Sequence, residues 1–304
     1  MRDIPAELTF KQRLNACASL IEERLSQWLA LSENGAGVPS RLAEAMRHAT
    51  LGGGKRLRPF LVLESARLCG LADDNAVNAA AALECVHCYS LVHDDLPAMD
   101  NDDMRRGRPT VHRAFDEATA ILAGDSLLTL AFEIMADPAT HPDARIRAEL
   151  CLGLARAAGR AGMAGGQMLD LEAPGRTLRE GDILRLQAMK TGALIGFGCE
   201  AGAILGSASH ERRQALRRYG AALGQAFQLA DDLLDVEGDA AALGKATAKD
   251  AEAGKATLVA LIGVENARAR LRQLEEDARA ALAPFGKDAH ILAEAASFVT
   301  TRSH

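Results

Sequence analysis

Aromatic side chains are scarce, at 4 % of the 304 residues, with one tryptophan and two tyrosines. Sheet surfaces lean on aromatic and β-branched side chains, so this scarcity argues against a β architecture. No segment sustains the apolar–polar alternation that a half-buried strand needs. No uninterrupted apolar run reaches membrane-spanning length, and Glu200 breaks the most apolar region. The opening MRDIPAELTFKQRLN lacks the apolar heart of a secretory signal and is too acidic for a transit peptide, so a soluble cytoplasmic protein without membrane insertion is expected. The six cysteines (17, 69, 85, 88, 151 and 199) mostly fall inside helical patterns, which suits reduced, buried thiols better than a disulfide framework. Cys85-Val86-His87-Cys88 has the CxxC spacing, but Tyr89 rather than His follows it and no second CxxC completes a zinc set. A net charge of -6 argues against a general nucleic-acid partner, and Arg212-Arg213 with Arg217-Arg218 reads as a solvated helix face.

What the chain has instead is Ala, Leu, Glu and Arg, the strong helix formers, within a 48 % hydrophobic composition large enough for a sizeable core. Apolar spacing predicts helices near 5–31, 38–50, 56–70, 74–96, 115–136, 142–160, 181–206, 210–236, 264–282 and 287–301. The breaks carry Gly or Pro: Asn34-Gly35, Gly52-Gly53-Gly54, Asp137-Pro138, Ala173-Pro174-Gly175 and Gly238. With no long linker and no repeat, the expectation is an all-α fold, one domain over 1–304, built as a large helical bundle. Segments 79–93 and 219–234 are apolar on most sides, as centrally buried helices are.

Both segments end in acid. His93-Asp94-Asp95-Leu96-Pro97-Ala98-Met99-Asp100 closes the first, and Asp231-Asp232-Leu233-Leu234-Asp235 the second. Like charges this close repel, and a cation between them relieves the repulsion. Carboxylates without Cys or His partners suit a hard cation such as Mg²⁺. A solvated acidic helix end is the plain alternative, yet acid at a helix C-terminus opposes the macrodipole. Asp231 and Asp235, four apart, share a face. Pro97 would end its helix and let Asp100 swing round to Asp94. If the two helices run parallel, their acidic ends would face each other across a cavity. Basic elements accompany them: Gly52-Gly53-Gly54-Lys55-Arg56-Leu57-Arg58, Arg105-Arg106-Gly107, Lys190-Thr191-Gly192, Gly244-Lys245 and Gly254-Lys255. Glycines let backbone N–H groups approach an anion, and paired arginines suit phosphate oxygens. No GxxxxGK[ST] is present, which excludes a Walker P-loop.

In order, the chain reads GGGKRLRP, ECVHCYSLVHDDLPAMDNDDMRRGRPT, AMKTGALI, GQAFQLADDLLDVEGD and LGKATAKDAEAGKAT. This series resembles the trans-polyprenyl diphosphate synthases, most of all the bacterial short-chain farnesyl diphosphate synthases, from about residue 40 to 260. The resemblance implies an isoprenoid-synthase-like bundle, a homodimer, and condensation of isopentenyl diphosphate with dimethylallyl or geranyl diphosphate to farnesyl diphosphate. It implies Mg²⁺, three ions with diphosphate bound and Mn²⁺ able to substitute, held by Asp94, Asp100 and Asp231 with Asp95 and Asp235 in support. The allylic diphosphate would meet Arg105, Lys190, Lys245 and Lys255, with the Lys190 carbonyl, the Thr191 hydroxyl and Gln228 facing the allylic cation. Isopentenyl diphosphate would take Lys55, Arg58, His87 and Arg106 without metal.

Tyr89 stands five residues before Asp94, roughly 7–8 Å down one helix, where in similar enzymes an aromatic goes with a C15 product. The alternatives are a geranylgeranyl diphosphate synthase with a deeper pocket and a non-catalytic subunit of a heteromeric synthase. The second usually loses an acidic motif, and both are intact here. Leu258 stands where relatives often have Tyr, and Ala230 where a polar residue is common.

Overall fold

The computed structural model describes residues 4–5, 7–30, 37–242 and 257–301. The described chain is almost wholly helical and divides into two compact units, one of residues 1–152 with 204–206, the other of 153–203 with 207–304. The first holds α1 (Phe10–Trp28), α2 (Ser40–Thr50), α3 (Leu57–Leu68), α4 (Val77–Asp94), the short α5 (Val111–Ala114) and α6 (Glu117–Ala136), with most of α7 (Ala144–Ala158). The second holds α8 (Met163–Leu171), α9 (Glu180–Gln187), nearly all of α10 (Ala193–Leu205), α11 (His210–Ala242), α12 (Leu258–Ile262), α13 (Val264–Ala281) and α14 (His290–Thr301).

In the first unit α4 is buried on every side over Val77–Val86, as a helix apolar on most sides requires. Small residues dominate it, and α6 packs closest: a Cβ at Gly124 of α6 would sit 2.1 Å from the His93 ring. Two buried acids interrupt this core, and each has an arginine. Glu64 is bonded by Arg13 at 2.6 and 2.7 Å, and Glu84 by Arg56 at 2.6 Å. Removing one partner of such a pair strands the other charge in a low-dielectric interior, at a cost of about 3–5 kcal/mol. By length and composition α6 would pass for a membrane span, but half of its apolar window is buried inside the protein. None of the six cysteines is in a disulfide. Burial, with Glu84 nearby, pushes Cys88 up to about 12, which keeps it an inert core residue.

In the second unit α9 and α10 form one helix interrupted by a π-helical turn, Ala188–Gly192. Helix α11 crosses it backbone to backbone. A Cβ at Gly224 would lie 2.8 Å from the Gly192 Cα, and one at Gly220 would lie 2.8 Å from the Gly196 Cα. Two glycines four apart on each helix thus form the contact, and at the two on α11 no larger residue fits without a backbone shift. Tyr219, fully buried, donates to the Leu292 carbonyl at 2.8 Å and ties α11 to α14.

The sequence pattern leaves several pieces unseen, the four-residue α5 among them. A two-stranded hairpin pairs β1 (Met104–Arg105) with β2 (Arg108–Pro109). Its strands are too short for alternation to register, and its turn is set by positive φ at Arg106 (51°) and Gly107 (73°). Helix α8, outside every predicted helix, carries Gly165-Gly166; a glycine is needed at 166 because a Cβ there would meet the Lys190 backbone N at 2.2 Å. The five-residue α12 is too short for periodicity. Substituting Gly220→Ala should lower stability by about 1–3 kcal/mol through overpacking. Urea unfolding checks this, and an unchanged midpoint would contradict the close crossing.

Candidate functional site

The basic loop of the first unit is shaped by one buried arginine. Arg56 adopts a left-handed backbone (φ 48°) just before α3 and points its guanidinium inward. There it donates to Glu84 and to Glu22, each at 2.6 Å, and to the Thr50 carbonyl. This anchorage leaves Lys55 exposed and Arg58 half-exposed on either side. Arg58 lies 3.3 Å from His87 Nε2, which must accept from a guanidinium that can only donate, so the ring proton sits on Nδ1. Burial, reinforced by Arg58 and Arg106, holds His87 well below the usual imidazole range, so it is neutral at pH 7. From the hairpin tip Arg106 donates to the Gly53 carbonyl at 2.7 Å. A Cβ at Gly54 would strike that guanidinium at 2.9 Å. The structure therefore brings Arg58, His87 and Arg106 to one glycine loop, with Lys55 on the same loop.

At the end of α4 the chain doubles back. The Asp100 N–H donates to the Asp94 carbonyl at 2.8 Å, Asn101 to Leu96 at 3.1 Å and Asp102 to Asp95 at 3.2 Å. Pro97 stops the helix, and Asn101 takes a left-handed conformation (φ 54°) to close the loop. Asp94 is half-exposed and Asp100 exposed. Asp95 is only 3 % exposed and turns inward to Arg105, whose Nε and Nη2 reach it at 2.8 and 2.6 Å. Burial pushes the Asp95 carboxyl up, against the pull of Arg105. Arg105 and Asp95, read from the sequence as diphosphate and metal groups, thus bind each other. Tyr89 is half-buried one turn below, its ring edge-to-face with His93 at 5.7 Å.

The second unit repeats the division. Asp231 is half-exposed and Asp235 exposed, while Asp232 is 5 % exposed. Asp232 accepts from Gln187 Nε2 at 2.8 Å and from Gln228 Nε2 at 3.0 Å. Burial pushes its carboxyl up; the two amides oppose that. The Gln228 carbonyl oxygen in turn accepts from the Thr191 hydroxyl at 3.0 Å. Lys190 Nζ, in the π turn, is held by Asp170 of α8 at 2.5 Å. Asp232, Gln187 and Asp170 were not singled out in the sequence. Asp232 was visible only as the second acid of a pair, and Asp170 lies in a glycine-bearing helix that the pattern missed. Lys245 and Lys255 lie outside the described residues.

Among the described residues no three acids, histidines or cysteines converge into a ready-made metal cage. The donor set still fits Mg²⁺. That ion is characteristically held by one or two carboxylates, with water and ligand phosphates completing its octahedron. Asp94 and Asp100 in the first unit, and Asp231 in the second, are carboxylates at least half-exposed to such a ligand.

The polyprenyl synthetase family model matches residues 39–285. Farnesyl diphosphate synthase of Escherichia coli (strain K12) is 46 % identical over 90 % of this chain and 92 % of its own. That of Geobacillus stearothermophilus is 39 % identical over 98 % of this chain and 100 % of its own. The apo crystal structure of an FPP/GFPP synthase from Zymomonas mobilis superposes with a TM-score of 0.87 at 42 % identity, covering 96 % of this chain and 99 % of that one. With the motifs, the all-helical fold and these likenesses in agreement, this chain belongs to the polyprenyl synthetase family.

Proposed function

We propose that this protein is a short-chain prenyltransferase that joins isopentenyl diphosphate to dimethylallyl or geranyl diphosphate and releases farnesyl diphosphate. The observation that carries this reading is the shared division of labour in the two aspartate pairs. In each, the second acid is buried on a protein donor and the first is left half-exposed. Asp94, Asp100 and Asp231 are then the groups to hold Mg²⁺, with Asp235 in support. Bound there, the ion supplies positive charge to the allylic diphosphate.

The chain's own residues do the rest. Lys190, with Lys245 and Lys255, adds positive charge toward the allylic diphosphate. Arg105 acts through Asp95. Lys55, Arg58 and Arg106 bind isopentenyl diphosphate without metal, and neutral His87 donates its ring N–H or accepts without adding charge. The allylic C–O bond breaks and the diphosphate leaves with the electron pair. The double bond of isopentenyl diphosphate attacks the allylic carbon, and the proton lost from the adjacent carbon goes to the released diphosphate. The Lys190 carbonyl, Thr191 and Gln228 face the cation and stabilise it electrostatically. The two compact units work as one catalytic domain in this reading, spanned by a single family match.

A cytoplasmic homodimer is part of the same proposal. The outward side of α6 carries exposed Ile121 (45 %) and Leu122 (57 %) with half-buried Leu128 and Phe132, an apolar face suited to a second copy. Sedimentation equilibrium reads this directly.

Purified protein incubated with Mg²⁺, isopentenyl diphosphate and either primer should give a C15 alcohol after dephosphorylation, and chelation should abolish it. No Mg²⁺-dependent product with any primer would overturn the assignment. With Tyr89 as the floor of the chain-length pocket, Tyr89→Ala should shift product to C20 and longer. A folded, active Tyr89→Ala enzyme that still stops at C15 would remove Tyr89 from that role.

A further inference from the structure

The hydrogen-bond chain around Asp232 has a direction. Each of its oxygens accepts an amide N–H: Oδ2 from Gln187 and Oδ1 from Gln228. A carboxylate offers no proton, so the NH₂ end of Gln228 must face it and the carbonyl end must face away. That carbonyl meets the Thr191 hydroxyl at 3.0 Å. It can only accept, so Thr191 must donate. The hydroxyl proton of Thr191 is thereby committed to Gln228, and its lone pairs are left for its open side; the residue is half-exposed.

The same carboxylate reaches the π turn at two places, directly through Gln187 and by way of Gln228 at Thr191. Gln187 is the last residue of α9, immediately before Ala188–Gly192, and Thr191 lies within the turn. Extra-residue turns of this kind are held only where surrounding contacts fix them. Gly166 on one side and Gly224 on the other let backbone press against this turn, at Lys190 and Gly192 respectively. The turn has little freedom, and neither does the hydroxyl direction.

We infer that Asp232 is a positioning residue that acts through Gln228 to turn the Thr191 oxygen lone pairs, rather than its O–H, toward the electron-poor carbon of the allylic substrate. The inference rests on the prenyltransferase reading above. A hydroxyl that presented its hydrogen would oppose developing positive charge, and one that presents lone pairs stabilises it. Asp232 needs no contact with metal or substrate for this. Its neighbour Asp231 is the group proposed to hold the ion.

Asp232→Asn keeps the shape but allows the amide at position 228 to face either way. It should lower kcat by about ten- to a hundred-fold. Both KM values and the Mg²⁺ concentration for half-activation should stay within about twofold; a lost metal ligand would move the last of these. Calorimetry supplies a readout apart from turnover. An ammonium analogue of the allylic cation, bound together with inorganic diphosphate and Mg²⁺, should lose affinity by the same factor as kcat. Inorganic diphosphate with Mg²⁺ alone should bind as it does to the unaltered protein. Adding Thr191→Val to Asp232→Asn should cost little more than the worse single change, because both act through one hydroxyl.

Unchanged kcat and analogue affinity in Asp232→Asn, multiplying effects in the double variant, or a shifted Mg²⁺ requirement would each overturn the inference. Should Asp232→Asn not fold, Gln228→Met removes the middle of the chain and must show the same kcat and analogue losses. An unaltered protein without condensing activity would sink the prenyltransferase reading instead, and the two failures are told apart by that control.

Discussion

Adjacent carboxylates cannot share one environment, and the structure depends on how that repulsion is resolved. In Asp94-Asp95 and again in Asp231-Asp232, the helical offset of about 100° sends the two side chains to different sides. The inward acid is neutralised by protein donors: a guanidinium for Asp95, two amides for Asp232. The outward acid keeps the remaining repulsion, with Asp100 near one pair and Asp235 near the other. Each motif therefore combines a structural anchor with a group suited to a cation. A single aspartate at either place would lack the anchor, and a pair facing the same way would leave both charges in mutual repulsion.

Close backbone approach is the second theme, and it serves the same chemistry. Glycines at 54, 166 and 224 stand where a guanidinium or a backbone passes within van der Waals contact. The first seats Arg106 on the glycine loop, and the other two confine the π turn that carries Lys190 and Thr191. Positive charge is held by similar means. Arg56 is buried among acids so that Lys55 and Arg58 are displayed, and Lys190 is held by Asp170. Such pre-set charges reorganise little when an anion arrives, which is what makes them effective.

Much of this was legible in the sequence because it is written in periodicity and in dense motifs. The largely apolar helix α4, the helix stop at Pro97, the shared face of Asp231 and Asp235 and the helical class all follow from spacing alone. What escaped notice depends on contacts between segments. Arg105 is legible as a cation, but its bonds through Nε and Nη2 to Asp95 are not. Helix α8, with two adjacent glycines, carries too weak a pattern to be seen, and Gly166 is explained only by the Lys190 backbone against it. Asp232 is only the second acid of a pair until Gln187, 45 residues away in the chain, is found on it. The hairpin at 104–109 is too short to carry a pattern, although Arg106-Gly107 at its turn was already singled out for its charge.

The central claim is that no finished metal cage exists among the described residues and that diphosphate oxygens complete one. Calorimetric titration with Mg²⁺, with and without inorganic diphosphate and corrected for the Mg²⁺–diphosphate complex formed in solution, tests it most directly. The account predicts weak Mg²⁺ binding to the protein alone. It predicts at least tenfold tighter binding when diphosphate is present, with the reciprocal gain for diphosphate when Mg²⁺ is present. Tight Mg²⁺ binding that diphosphate leaves unchanged would contradict it.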